Sequence, residues 1–315
     1  MDIRIDPITQ QPVILATSRV KRPHFGKSKP THPPIDNKRT ESSVNPFAPG
    51  NEHITGPEVW ADSDNENRKS NDPDWKVRVI PNKYPIAKHH EVIIYSQHPR
   101  FDFPALSLKQ ATRIVKAFIA RGKEMQKHGQ PFLFCNHGVE AGASIEQPHA
   151  QVLAFPALPP AIKTEVDVLQ KHYNLHGNCA YCQLIEHEEK VGKRLIWQND
   201  SFILMTPEAS GWPYAIALMP KIHQAAYTAL KDRQVLDFTQ ALRIMISLYN
   251  HVLINPSYNF WVHSTKDSFY HWHLDMIPRL KIAGGVEVGA GIIVNDRISP
   301  EDAAKKFRLA LKEIK

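Results

Sequence analysis

The chain has 315 residues, 42% hydrophobic and 23% charged, with a formal net charge of +7 and 17 histidines. That length and apolar content fit one large or two ordinary globular domains with a proper core, and no apolar run is long enough to cross a membrane. The positive charge suits an anionic partner such as a nucleotide, but the Lys and Arg residues are scattered without a basic tract, which argues against nucleic acid. The start, Met1-Asp2-Ile3-Arg4-Ile5-Asp6, is charged and has no signal-peptide core, so a cytoplasmic location is expected.

In chain order, Ile5 to Thr17 reads as a hairpin whose second strand is Pro12 to Ala16. The basic segment Ser18-Arg19-Val20-Lys21-Arg22-Pro23 follows, either a solvated turn or a phosphate clamp of guanidinium groups. Residues 26–74 are rich in Pro, Asn and Ser and read as a largely irregular excursion. Strands are expected at Trp75 to Ile80 and Glu91 to Tyr95. A helix capped by Ser107 should run to about Lys127, with Ala111, Ile114, Val115 and Phe118 on one face. Phe132 to Cys135 and His149 to Phe155 are further strands, and Pro159-Pro160 opens a second helix to about Tyr173. Beyond it, strands fall at Phe202 to Met205, Ala215 to Met219, Asn259 to His263 and His273 to Ile277, around a helix from about Arg233 to Val252. A strand at Gly291 to Val294 follows a glycine-rich turn, and a last helix starts at Ser299-Pro300 with Asp302 completing the cap.

This order repeats. Each half runs strand, histidine-bearing turn, helix, strand, loop, then a strand opening on a histidine: Pro148-His149-Ala150-Gln151 in one, Trp272-His273-Leu274-Asp275 in the other. Two copies of one α+β unit explain the pattern, with a boundary near Pro160 that divides the chain into residues 1–160 and 161–315.

Two clusters carry chemistry. On the strand from His149, side chains alternate, so His149 and Gln151 share a face; Gly142 lets the preceding backbone turn tightly and offer N–H groups to an anion. A histidine beside a carboxamide next to such a turn suits attack on phosphorus, whereas a buried sheet histidine is the plainer reading. A rival centre is His271-Trp272-His273-Leu274-Asp275, whose alternation puts His271, His273 and Asp275 on one face. The other cluster is Cys179-Ala180-Tyr181-Cys182, which has zinc-knuckle spacing or, alternatively, that of a redox pair. His223 and His271, at strand ends in the same half, are the candidate partners for a closed structural site.

These residues resemble the galactose-1-phosphate uridylyltransferase family of the histidine-triad superfamily, and within it the ADP-glucose phosphorylase branch. Arg19-Val20-Lys21-Arg22-Pro23 is similar to the family's RxxRP, Asn45-Pro46-Phe47-Ala48-Pro49-Gly50-Asn51-Glu52 to CPFCxGxE, Val79-Ile80-Pro81-Asn82-Lys83-Tyr84-Pro85 to VxPNxxP, and Asn136 to Gln151 to the segment ending in HPHxQ. The resemblance implies two tandem histidine-triad-like units, each a mostly antiparallel sheet with helices packed on it, the first being catalytic. It implies a nucleotidyltransferase taking a nucleoside diphosphate sugar and a sugar 1-phosphate through a covalent nucleotidyl-histidine at His149. Gln151 and Ser144 would hold phosphates. Arg19 and Arg22 would contact phosphate and the dimer partner, Asn82 and Asn136 the nucleotide, and Lys281 and Glu287 the sugar or sugar phosphate, with the turn at Gly142 as a further substrate contact.

A phosphorylase using inorganic phosphate on an ADP-sugar or dinucleoside polyphosphate, and a non-catalytic nucleotide-binding protein, are the alternatives. A homodimer is implied, as is a zinc site at Cys179, Cys182, His223 and His271. The chain departs from the pattern at Asn45 and Ala48, where relatives carry cysteines, at Gln147, where they carry the first histidine, and near Pro99, where the last ligand would fall. The N-terminal structural zinc is therefore expected to be absent. The sugar-binding glutamine and tyrosine of the uridylyltransferases fall near Ile293 and Val286, which leaves the acceptor open.

Overall fold

A computed structural model describes residues 2–9, 11–15, 45–280 and 284–314. Among them, ten strands form one sheet whose order shows the internal repeat. The first five are β3 (Trp60–Asp62), β4 (Val77–Pro81), β5 (His89–Ile94), β7 (His149–Phe155) and β6 (Gln130–His137). The next five run β11 (Tyr258–His263), β12 (His273–Pro278), β10 (Ile216–Pro220), β9 (Phe202–Met205) and β8 (Leu195–Gln198). Read outward from the centre, 6-7-5-4-3 mirrors 11-12-10-9-8, so β12 is the counterpart of β7. The two sets join through the antiparallel pair β6–β11, where Asn136 faces Asn259 and Phe134 faces Trp261.

One helix in each half bridges the equivalent strands. α1 (Leu108–Met125) starts where the Ser107 side chain accepts from the Gln110 N–H, and buries Ala111, Ile114, Val115 and Phe118 as their spacing predicts. α4 (Asp232–Leu253) buries Val235, Leu242, Met245 and Tyr249. Both pack on one sheet face together with α6 (Pro300–Leu311), whose Phe307 joins the same core. Each such aromatic side chain contributes roughly 1.5–3 kcal/mol when fully buried. The opposite face is covered differently in the two halves. In the second, α2 (Pro160–His176) and α3 (Ala180–Val191) lay Ile162, Leu169, Tyr181 and Ile185 over Ile203 and Met219. In the first, among the described residues, the small cluster Phe47, Trp75, Ile80, Val92 and Ile94 covers the sheet.

Several elements differ from the sequence reading. The excursion before β4 contains β3 and a 3₁₀ turn at Glu52–Ile54. It is ordered by polar contacts rather than apolar periodicity. Arg68 and the fully buried Arg78 share the Glu58 carboxylate, while Trp75 Nε1 donates to Glu52 at 2.7 Å. The glycine-rich turn is a short helix, α5 (Gly285–Ala290). The strand after it, β13 (Ile293–Asn295), leaves the main sheet and runs parallel to β2 (Pro12–Leu15), which pairs antiparallel with β1 (Asp2–Ile5).

Candidate active site and metal-ligand cluster

His149 opens β7 and turns away from α1, because its neighbours Ala150 and Val152 belong to the helix-side core. The residue is 7% exposed and its ring lies edge-on to Phe47, with centroids 5.3 Å apart. Nδ1 sits 2.8 Å from the Gln147 carbonyl. A carbonyl only accepts, so Nδ1 carries the proton and Nε2 keeps a lone pair. Burial lowers the His149 pKa, outweighing the upward pull of that carbonyl, and the nearby His137 lowers it further. A neutral imidazole with Nε2 unprotonated is the form that attacks phosphorus.

Gln147 is 1% exposed. Its Oε1 accepts from Asn45 Nδ2 at 2.7 Å, and its Nε2 donates to the Ser96 carbonyl at 2.8 Å and the Phe47 carbonyl at 3.3 Å. One carboxamide thus ties the turn at residues 45–47 to the end of β5 and to the approach of β7, while its own backbone carbonyl holds the imidazole. Asn45 and Gln147 occupy positions where the resemblance places metal ligands in relatives; here the two amides bond to each other.

Gln151 shares the His149 face. Its Oε1 accepts from Asn82 Nδ2 at 3.1 Å and lies 3.0 Å from His90 Nε2. Asn136 Oδ1 accepts from Asn259 Nδ2 at 2.8 Å, which also donates to the Ala141 carbonyl at 2.9 Å. Asn136, His137, Gly138, Ala143, Glu146 and His149 line one small cavity. Gly138 is part of its lining, and Gly142 lies beside Asn136. Gly138 has φ +84 and a Cβ there would lie 2.1 Å from Ser257 Oγ, whereas Gly142 has φ +86 and open space, its nearest neighbour being Asn136 Nδ2 at 3.7 Å. Ser144 is exposed, between the lining residues Ala143 and Ile145.

The structure therefore brings His149, Gln151, Asn82, Asn136, Gly142 and Ser144 to one end of the first half. Glu287 lies instead on α5, where its carboxylate accepts from the Gly284 N–H at 2.9 Å. Arg19, Arg22 and Lys281 lie outside the described residues. The sequence reading missed His90, which could have been found from strand alternation, since it shares a face with Val92, which pairs with Gln151; it named Asn45 as a departure from the family pattern but not as the partner of Gln147.

In the second half, Cys179, Cys182, His223 and His271 gather with their ligating atoms within 4.8 Å of one another. His271 Nδ1 is 3.8 Å from Cys179 Sγ and 3.5 Å from Cys182 Sγ, and His223 Nδ1 is 3.5 Å from Cys182 Sγ. The Nε2 atoms donate outward, His223 to the Ser268 carbonyl at 2.7 Å and His271 to that of Pro220 at 2.8 Å. Both Nδ1 atoms thus face the sulfurs as acceptors, an orientation suited to ligating a metal. The Cys182 thiol, helped by His271 against the cost of burial, holds the Cys179 pKa well below the usual thiol range, and Cys182 is pushed up in turn.

The rival centre is split by this arrangement. His271 joins the cysteines, while His273, the counterpart of His149, faces carboxylates: its Nε2 lies 3.6 Å from Asp275 and 3.8 Å from Glu165. Glu165 from α2 also takes His263 Nδ1 at 2.9 Å and the Tyr270 hydroxyl. Burial would raise the Glu165 pKa, but His263, His273 and Tyr270 hold it at about 2. His273 thus has two acidic side chains beside it, whereas the position matching Asp275 on β7 is the neutral Gln151.

The model of the family described as galactose-1-phosphate uridyl transferase, N-terminal domain, matches residues 1–159. An ADP-glucose phosphorylase from Arabidopsis thaliana is 28% identical over 339 residues, covering 98% of this chain and 92% of that protein. A galactose-1-phosphate uridylyltransferase from Thermotoga maritima is 25% identical over 98% of both chains. Among solved structures, the Arabidopsis thaliana ADP-glucose phosphorylase with bound ADP-glucose superposes with a TM-score of 0.82 at 27% identity, covering 98% of this chain and 97% of that one. With the family model spanning half the sequence and both relatives nearly all of it, the chain belongs to the galactose-1-phosphate uridyl transferase family, whose members are named as transferases and phosphorylases.

Proposed function

We propose that the chain is a nucleotidyltransferase that takes a nucleoside diphosphate sugar and works through His149. The Nε2 lone pair attacks the α-phosphorus; an N–P bond forms, the bond from that phosphorus to the bridging oxygen breaks, and the sugar 1-phosphate leaves with the electron pair. In the second step an acceptor phosphate oxygen attacks the same phosphorus and the imidazole leaves, so the ring returns unchanged. The observation that carries this reading is the Nδ1–H bond to the Gln147 carbonyl, which leaves Nε2 unprotonated in a buried ring. Gln151, Asn136 and the backbone at Gly142 and Ser144 stand ready as neutral donors for phosphate oxygens.

The acceptor is a sugar 1-phosphate in one version and inorganic phosphate in the other. The second version, a phosphorylase, is favoured by the higher identity to the Arabidopsis thaliana phosphorylase, 28% against 25% for the Thermotoga maritima uridylyltransferase. Both share the first step. Incubation with UDP-glucose or ADP-glucose without acceptor should add one nucleotidyl mass to the intact protein, and His149→Ala should abolish it. Absence of an adduct with every nucleoside diphosphate sugar tried would sink the reading. Adding hexose 1-phosphate or inorganic phosphate to the isolated adduct then identifies the acceptor.

The residues Cys179, Cys182, His223 and His271 fit a structural zinc. Zn–S bonds of about 2.3 Å and Zn–N bonds of about 2.0 Å in a tetrahedron require S···N separations of about 3.5 Å, close to the spacings above. Four protein ligands leave no open position, so the ion would supply stability to the α3 end of the second half rather than chemistry.

A further inference from the structure

The orientation of Gln151 is decided by backbone groups at one remove, acting through Asn82 and His90. The Tyr84 N–H donates to Asn82 Oδ1 at 2.8 Å, which turns the Asn82 amide so that Nδ2 faces Gln151. The Ile86 N–H donates to His90 Nδ1 at 3.3 Å. A backbone N–H can only donate, so Nδ1 is an acceptor and the ring proton must be on Nε2. That proton has Gln151 Oε1 at 3.0 Å. Asn82 Nδ2 also lies 3.3 Å from His90 Nε2, and with Nδ1 taken by the Ile86 N–H these two nitrogens are neighbouring donors that share the Gln151 oxygen rather than bond each other; the amide flip is therefore not free. Among the described residues, Gln151 Nε2 makes no hydrogen bond of its own, although it lies on the His149 face. His90 is itself well placed to stay in one form. It is 5% exposed and packs 6.2 Å from the Phe134 ring, and burial lowers its pKa against the upward pull of Gln151.

We propose that His90 is a positioning residue for the transfer reaction: by donating Nε2–H to Gln151 Oε1, with Asn82 beside it, it turns the Gln151 NH₂ group toward the substrate phosphates. The inference rests on the transfer reading above. A carboxamide that could flip would present an oxygen to phosphate half the time, replacing attraction with lone-pair repulsion. The loop at residues 82–86 thereby sets a donor on another strand without touching substrate through His90.

The test compares substitutions that keep different nitrogens. Glutamine at 90 places an amide N–H near the imidazole Nε2, whereas asparagine reaches only the Nδ1 position and can keep the Ile86 contact. Single-turnover formation of the nucleotidyl adduct should stay within about threefold for His90→Gln. It should fall about tenfold or more for His90→Asn and His90→Phe, a fraction of the 10²–10³ that a whole phosphate-binding donor supplies. In a Gln151→Ala background the same substitutions should change nothing further. A merely structural role, holding the loop through Ile86, predicts the reverse order; that order, or effects that multiply with Gln151→Ala, would overturn the proposal. Nitrogen-15 spectra of the histidine rings decide the point without turnover: His90 should be the neutral Nε2–H tautomer, and an Nδ1–H tautomer refutes the relay. If the wild-type chain forms no adduct, the transfer reading falls on that result and the positioning role with it, whereas an Nδ1–H tautomer in a chain that does form the adduct refutes the relay alone.

Discussion

Replacing Gln147 with methionine removes the polar half of the clasp while keeping its length, so little cavity is created and the hydrogen bonds are tested almost alone. The substitution strands the Ser96 carbonyl, which now receives Nε2 at 2.8 Å, and the Phe47 carbonyl, held more loosely at 3.3 Å. Each buried acceptor left without a donor costs roughly 1–3 kcal/mol, with the longer contact at the low end. Asn45 is only partly buried and can turn its amide to water. The sum is about 2–4 kcal/mol, or about 4–8 °C at roughly 2 °C per kcal/mol for a chain of this size. Calorimetric unfolding of Gln147→Met should show that drop. Adduct formation at saturating donor should slow as well, because the Gln147 carbonyl that fixes the His149 tautomer moves with the side chain. A midpoint within about 1 °C of wild type, with an unchanged adduct rate, would refute the clasp.

Other expectations follow from the same geometry. Because burial lowers the His149 pKa, the neutral nucleophile should persist below pH 6.5, the ordinary histidine value; single-turnover adduct formation should be flat from pH 8 to about 6.5 and fall only in more acid solution, and a midpoint above 6.5 would contradict it. The sign for stability is the same: the unfolded chain takes up this proton first as pH falls, so His149 contributes stability above about pH 6.5 that is lost through its lower folded pKa, which thermal midpoints of wild type and His149→Gln at pH 8 and 5 should reveal. Metal analysis should find one zinc per chain, and Cys182→Ser should lose it and lower the thermal midpoint by more than about 10 °C, given the size of structural zinc binding energies. Gly138→Ala must force Ser257 aside as well as adopt positive φ, and should lose more than about 2 kcal/mol in urea titration, whereas Gly142→Ala meets open space and should lose about 1 kcal/mol.

Local signals made much of the molecule legible. The Ser107 and Ser299 caps, the 3.6 spacing of Ala111 to Phe118 and the alternation from His149 depend only on near neighbours, and the side chains stand where those rules put them. The duplicated order of elements could likewise be read, because each copy repeats its own local pattern. α3 escaped notice because its buried face, Tyr181, Ile185 and Glu188, ends on a charge that pairs with Arg194 from beyond the helix. α5 was hidden by glycines, which disfavour a helix until a residue such as Glu287 caps its start. What only the tertiary structure decided is the partnership of polar groups. Gln147 meets Asn45 across 102 residues and Ser96 across 51, and Cys179 meets His271 across 92. A carboxamide or thiol carries no local code for its partner, and the choice falls to whichever groups the β5–β7 register and the packing of α3 bring within bonding distance. The sequence by itself therefore determined that His149 opens a strand and shares a face with Gln151, and the assembled sheet determined that this face turns away from α1 and which atoms hold the ring there.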